Sequence, residues 1–386
     1  MKIFIIARGY PSKKDPIWGC FEKDQAEALR NLGHQVTILS VDTRFRFFKR
    51  TFGLQHFVDN NIAVYNMFII PSLLLFFLPE KIKAKFYSWL LLLTFKNAIQ
   101  NQGIPDILYA HYLDIMNWTI MLKKTYNIPI VGIEHWSALN IRPIPNRIRH
   151  LVANTYPFVD RLIAVSTPLK QSILDFKISI SRPISIVHNM VGKEFSFLPL
   201  QKNSHPLTFI STGRLVYGKG YDLFITALHN IEDKLPKDWI AIIIGGGKLK
   251  DKLQKQINAF NLQNHIYLVG TKNKTEIVHL LQHSDIFVFP SRGENFSVAI
   301  LEALACGLPV IASICGGVRE CINEKNGLLF PVDDSAKLAQ AILRMVQNID
   351  NYNREAIAED CQAHFSPEVI ATQLTQIFED TIKNKS

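Results

Sequence analysis

The chain has 386 residues, of which 48% are hydrophobic and 20% charged, and a net charge of +10. That length exceeds one typical domain, supplies apolar side chains for two cores, and with no low-complexity tract excludes a disordered chain. The charge is lopsided: residues 1–200 hold 24 Lys and Arg against 13 Asp and Glu, while 201–386 hold 19 against 20, so the basic half is expected to meet an anionic ligand or surface.

MKIFIIARGY at the start reads as a first strand (KIFIIA, 2–7) and not as a secretion signal. A Gly-containing loop then leads to a helix over 21–33, with Gly33 as its stop, and to a second strand QVTILSV (35–41). Further strands are predicted at DILYAH (106–111), IPIVGIEH (128–135) and RLIAVS (161–166), with helical patterns between several of them. The order then restarts with LTFISTGR (207–214), WIAIIIGGG (239–247), HIYLVG (265–270), DIFVFP (285–290), PVIAS (309–313) and GLLF (327–330). Strands alternating with helices imply parallel sheets, here two doubly wound α/β units. The expected boundaries are 1–195 and 196–365, joined near 190–205, with a last helix over 366–386. The apolar runs LLLFFL (73–78) and WLLLLTF (89–95) are broken by KIKAK, so no membrane span is predicted. Five scattered cysteines with no C-x-x-C point away from zinc and disulfides and towards a reducing cytoplasm.

Three stretches carry chemistry. SRGENFSVAILEALACG (291–307) follows a strand and opens a helix, with Glu294 at its mouth and Glu302 inside it. Ligands of open parallel sheets sit beyond the carboxyl ends of strands, and helix amides there favour an anion. Asn295, Phe296, Ser297 and Val298 could therefore hold a phosphate through their amides. The two acids would repel that phosphate unless hydroxyl donors occupy them, which points to a nucleotide-sugar. GRLVYGKG (213–220) offers Arg214 as a fork and Lys219 as a point charge for a diphosphate. In RGYPSKKDPIWG (8–19), Gly19 allows close backbone approach before a helix. Taken singly, each stretch is also what an ordinary cap, exposed face or turn would look like. No strand feeds a G-x-G-x-x-G and no D-x-D ends a strand, so neither a dinucleotide cofactor nor a metal is expected.

YPSKKDPIWGCFEKDQAEAL, GRLVYGKG and above all FPSRGENFSVAILEALACGLPVIASICGGVRE (289–320) together resemble the retaining glycosyltransferases of family 4, including bacterial enzymes of polysaccharide and glycolipid synthesis. The resemblance implies the GT-B fold, two Rossmann-like domains facing across a cleft, with the acceptor side in the first and the nucleotide-sugar in the second. It also implies a last helix that crosses back to the first domain. Through it Arg214 and Lys219 become diphosphate ligands, Glu302 a ribose ligand, and Glu294 with the following amides the contacts to the transferred sugar and phosphate. Thr271 falls near the base, and Gly19 and His135 of GIEHWS fall near the donor. His111, at another strand end, lines the acceptor side or merely packs. IVHNMVGKEFSF (186–197) departs from the family's Asn-Gly-Val-Asp run, keeping only Asn189 and leaving the donor's identity open. IGGG (244–247) fits a Gly-rich loop of the family and equally a tight turn.

The expected activity is metal-independent transfer of a hexose-type sugar from a UDP- or GDP-sugar to a glycan or lipid-linked saccharide, with retention and no cofactor. Catalysis is expected to rest on His135, Glu294, Arg214 and Lys219. The rivals are a nucleotide-sugar epimerase of the same fold and a non-catalytic nucleotide-sugar-binding protein. No nucleic-acid partner is expected. Two basic and apolar stretches, RFRFFKR (44–50) and EKIKAKFYSWLLLLTFK (80–96), suggest peripheral attachment to the anionic inner face of the plasma membrane. In the second, Ile82, Phe86, Trp89, Leu90 and Leu93 are expected on one helical face, with Lys81, Lys83, Lys85 and Ser88 off it.

Overall fold

The structure is a computed structural model that describes residues 1–13, 15, 18–44, 51–69, 77–140, 143–199 and 206–384. It divides into two units: Met1–His188 with Pro367–Ser386, and Asn189–Ser366.

In the first unit, β1 (Lys2–Ala7) is buried from Ile3 onward, as a strand covered on both faces must be. Gly19, left-handed at φ +82°, turns the chain into α1 (Cys20–Asn31), and β2 (Gln35–Asp42) pairs in parallel with β1. A hairpin follows, β3 (Gly53–Asp59) and β4 (Ile62–Phe68), closed by Asn60 and Asn61 at φ 48° and 60°. Positive φ at both central residues is the turn that matches strand twist. No strand is expected from the sequence between 42 and 106. An Asn-Asn turn lacks the usual glycine, and β3, exposed at His56–Val58, is an edge strand with little hydrophobic signal. Next come α2 (Glu80–Gln102), β5 (Ile107–His111), α3 (Leu113–Tyr126), β6 (Ile130–Glu134), α4 (Asn146–Ala153), β7 (Arg161–Ala164), α5 (Thr167–Leu174) and β8 (Ser185–Ile186). Among the described residues the sheet order is β3-β4-β2-β1-β5-β6-β7-β8, parallel except for β3.

The second unit contains β9 (Thr208–Thr212), α6 (Tyr221–His229), β10 (Ile240–Ile244), α7 (Lys250–Ala259), β11 (Ile266–Gly270), α8 (Lys274–Gln282) and β12 (Ile286–Phe289). It continues with α9 (Val298–Ala305), β13 (Val310–Ser313), β14 (Gly327–Phe330), α10 (Ser335–Gln347) and α11 (Arg354–Phe365). Its all-parallel sheet runs β11-β10-β9-β12-β13-β14. The core beneath it is built from Phe209, Phe224, Trp239, Ile243, Val288 and Ile342, among others. The last helix, α12 (Pro367–Lys383), belongs to the first unit. There it packs on α1, sets Phe378 edge-on to Tyr109 at 5.0 Å and places Thr375 2.9 Å from His34 Nε2.

Each sheet reverses its strand order beside its first strand, between β1 and β5 and between β9 and β12. Loops leaving such neighbours run apart, and a crevice opens at the carboxyl ends. Every predicted site residue except Thr271 follows, or lies on the helix after, a strand at or next to these two places.

α2 departs from its expected facing. Ser88 and Leu90, expected on the polar and the outward face, are both buried, along with Leu91, Thr94, Phe95 and Ala98. The outward stripe is Ile82, Trp89 and Leu93, 48%, 47% and 37% exposed, with Phe86 stacked on Trp89 at 6.0 Å. The helix is thus apolar on two faces. Of RFRFFKR, all but Arg44 lies outside the described residues, as do 73–76 of the run at 73–78 and 200–205 of the expected join. Arg44 is held by Asp42 and Asp15.

Candidate active site

At the second sheet's reversal, the loop after β9 is set by backbone contact. Gly213 N donates to Ile244 O at 3.0 Å, Leu215 N to Gly246 O at 2.9 Å, and Leu249 N to Leu215 O at 3.0 Å. A Cβ on Gly245 would stand 1.9 Å from Gly213 O, and one on Gly247 2.4 Å from Leu215 O. Gly245 and Gly247 of IGGG are therefore demanded by that approach. Leu215 is fully buried, so Arg214 is fixed between two anchored neighbours. It is exposed, and among the described residues no acid pairs with it. Thr271 is exposed at the same turn, its methyl 3.0 Å from where a Cβ of Gly246 would lie.

The far end of this loop is clasped by a residue the sequence reading missed. Arg292 donates to both carboxylate oxygens of Asp222, to Tyr217 O and to Asp333, each at 2.8 Å. It also stacks 4.0 Å from the Tyr217 ring. The bonds to Asp222 hold the guanidinium pKa above its ordinary value. Burial would raise the Asp222 pKa, but Arg292 outweighs it and holds the carboxyl low. Arg292 N and Ser291 Oγ both reach Gly218 O, at 2.8 and 2.9 Å. An acid in the first turn of α6 is the sequence signal that could have suggested a cationic partner. Nothing local names which cation.

Lys219 and Glu294 meet at 2.6 Å (Nζ to Oε2), while Glu294 Oε1 accepts from Asn295 N at 3.1 Å. The 294–295 backbone is pinned by the Gly-Gly of CGGVRE. Gly317 N donates to Asn295 O at 2.8 Å, and Gly316, at φ +52°, is so close that a Cβ would lie 1.8 Å from Glu294 O. Asn295, Phe296 and Ser297 are buried. The Phe296 ring packs on Phe365 at 5.7 Å and its carbonyl accepts from Asn189 Nδ2 at 2.9 Å. Val298 opens α9, and Glu302 stands half-buried in its second turn. Where the family's run is broken, Glu194 pairs with Lys274 at 2.7 Å.

At the first sheet's reversal, Gly9 and Gly19 lie back to back, with a Cβ on Gly19 only 2.2 Å from Gly9 O. That approach requires a glycine at 19 whatever else it does. His111 ends β5, fully buried. Its ring is parallel to that of His135 at 5.6 Å, and neither of its nitrogens has a hydrogen-bond partner among the described residues. Burial, with Arg8 nearby, lowers its pKa to about 3, so it is neutral at pH 7. Tyr112 follows at φ +68° and ψ 148°, a strained conformation for a bulky side chain that costs about 1–3 kcal/mol. His135 is held by Glu134, whose Oε1 accepts from the amides of His135 (3.0 Å) and Trp136 (2.8 Å). Glu134 Oε2 accepts from Tyr156 OH at 3.0 Å. Glu134 is fully buried, and burial raises its pKa to about 7 against those hydrogen bonds.

Comparison with known proteins gives a consistent result. A family model described as "Glycosyltransferase Family 4" matches residues 23–195, and one described as "Glycosyl transferases group 1" matches 192–359. TuaC of Bacillus subtilis strain 168, provisionally named a teichuronic acid biosynthesis glycosyltransferase, is 26% identical over 377 residues, 89% of each chain. An Escherichia coli UDP-Gal:α-D-GlcNAc-diphosphoundecaprenol α-1,3-galactosyltransferase is 31% identical over 185 residues, 47% of this chain and 46% of that one. Among solved structures, the sucrose-phosphate synthase of Thermosynechococcus elongatus superposes with a TM-score of 0.77 at 19% identity, covering 99% of both chains. Its likeness shows the fold, GT-B.

Proposed function

This chain belongs to glycosyltransferase family 4, and on that premise we propose that it transfers a hexose-type sugar from a UDP- or GDP-sugar to a glycan or lipid-linked saccharide, with retention. The carrying observation is the loop of the second unit, which holds Arg214 without an acidic partner among the described residues, together with Lys219 and its partner Glu294. Departure of the nucleoside diphosphate builds negative charge on its phosphates. Arg214, Lys219 and the amides opening α9 stabilise that charge once they are held around the bound donor. Two side-chain cations in place make the reaction independent of a divalent ion. Before donor binds, Glu294 neutralises Lys219 and keeps it from wandering. With donor bound, Glu294 takes hydroxyls of the transferred sugar and Lys219 turns to phosphate. Glu302 holds the ribose and Thr271 borders the base.

The first unit carries the acceptor, with His135 and Gly19 among its own site residues. An acceptor on a lipid carrier, as the name of the Escherichia coli relative describes for that enzyme, suits the outward face of α2. Its apolar stripe is flanked by the exposed Lys81 and Lys85, whereas Lys83 is paired with Glu80. Among the described residues no helix is long and apolar enough to cross a membrane, and attachment through this stripe is peripheral, on an anionic leaflet.

Calorimetric titration of UDP and GDP into the wild-type chain and Arg214→Ala tests the donor assignment. One nucleotide is expected to bind in a reaction that needs no Mg²⁺ and to weaken at least tenfold, about 1.4 kcal/mol, in the variant. Equal affinity in both proteins, or binding of neither nucleotide, would overturn it.

A further inference from the structure

Arg8 has no part in the reaction above, yet it stands directly after β1 at the first sheet's reversal. Its guanidinium carbon lies 3.7 Å from the centroid of the Tyr112 ring and 4.8 Å from that of Trp18. Its Nε donates to Glu22 Oε1 at 3.3 Å. Glu22 is 1% exposed and fixes the inner edge of the group. Among the described residues the two Nη groups have no hydrogen-bond or ion-pair partner, and the side chain is 28% exposed.

Arg44 supplies the contrast. It lies 3.7 Å from the same indole, but its Nε and both Nη groups are taken by Asp42 and Asp15. One arginine is thus saturated, and it occupies the two aspartates that would otherwise repel an anion here. Among the described residues the other keeps its outer fork unused. Tyr112, the ring beneath Arg8, is the residue held at φ +68°. Strained residues collect at ligand sites, where the surrounding structure imposes them. A guanidinium with a fixed plane and two Nη groups that have no partner among the described residues matches the oxygen pair of a carboxylate or phosphate.

We infer that Arg8 binds an anionic group of the acceptor, a sugar carboxylate or a phosphate of its lipid carrier. The inference rests on the proposed placement of the acceptor in the first unit. It makes Arg8 a residue that selects charged acceptors over neutral ones.

The test is a titration of the full chain carrying ¹⁵N-arginine, with the guanidinium Nε–H signal of Arg8 assigned through Arg8→Lys. The probes are a methyl glucuronide, its neutral methyl glucoside, and a short-chain alkyl diphosphate. At least one anion is expected to shift the Arg8 signal saturably, and the glucoside to leave it in place. Affinity for that anion should fall about tenfold or more in Arg8→Gln. Response to the glucuronide alone assigns a sugar acid, and response to the alkyl diphosphate alone assigns the lipid phosphate. Silence of Arg8 towards both anions, or a response to the glucoside equal to theirs, overturns the inference, and the wild-type spectra decide this even if Arg8→Gln fails to fold. In the same spectra Arg214 reports UDP and GDP, so failure at Arg8 leaves the donor assignment standing and failure at Arg214 is seen separately.

Discussion

Lys219 and Glu294 illustrate how far single residues could be read. Each is expected near a phosphate because it follows a strand and, for Glu294, opens a helix. Their 2.6 Å pairing joins residues 75 apart, and no local pattern announces it. Replacing Lys219 or Arg214 with Ala should lower turnover about 10²–10³-fold each with little change in melting temperature. Near-normal turnover in both variants would remove the diphosphate clamp. Glu302→Ala should weaken nucleoside diphosphate binding by about 1.5–3 kcal/mol for each charged hydrogen bond lost, read by calorimetry. Arg292 was not legible at all, since its partners Asp222 and Asp333 lie 70 and 41 residues away. Arg292→Ala should cost about 2–3 kcal/mol of stability and also lower turnover by loosening the 217–219 turn. Lost stability with intact turnover would leave it a purely structural clasp.

At the scale of elements, the strands that carry the site were legible because they are continuous apolar runs between turn signals. The placing of the candidate site residues beyond strand ends then follows from topology. Close backbone approach was not legible. IGGG reads as a Gly-rich loop or a tight turn and CGG carries no reading of its own, and only the fold shows that they press on 213–215 and 294–295. Gly316→Ala puts a methyl against Glu294 O from a left-handed backbone. It should cost about 2 kcal/mol or more and weaken donor binding, as denaturant melts and titration would show. The β3–β4 hairpin escaped because its edge strand is half solvated. The facing of α2 was misread at Ser88 and Leu90 because a helix apolar on two sides has no single periodicity to fix its rotation. Its outward stripe predicts binding to anionic liposomes that weakens with salt and falls in Trp89→Ser and Lys81→Gln/Lys85→Gln variants. No co-sedimentation at low salt would defeat membrane attachment.

For the whole molecule, two buried groups of the first unit set opposite responses to pH. His111 is lowered from 6.5 to about 3. The stability its neutral form confers is complete above 6.5 and is lost as pH falls through 3. Glu134 is raised from 4.5 to about 7. Its contribution is complete below 4.5 and is lost as pH rises through 7. Melting temperatures of His111→Phe should therefore fall less steeply than wild type below pH 6.5, and those of Glu134→Gln less steeply from pH 4.5 to 7. Parallel curves for all three proteins would show that neither group titrates as its burial implies. The largest-scale claim, sugar transfer assisted by side-chain cations, is tested most directly by turnover. A panel of UDP- and GDP-sugars would be incubated with lipid-linked saccharide acceptors in excess EDTA, following nucleoside diphosphate release and the anomeric configuration of the product. One donor should be consumed only when acceptor is present, with its configuration retained. Dependence on Mg²⁺ or Mn²⁺, an inverted product, or consumption of no donor would contradict the account.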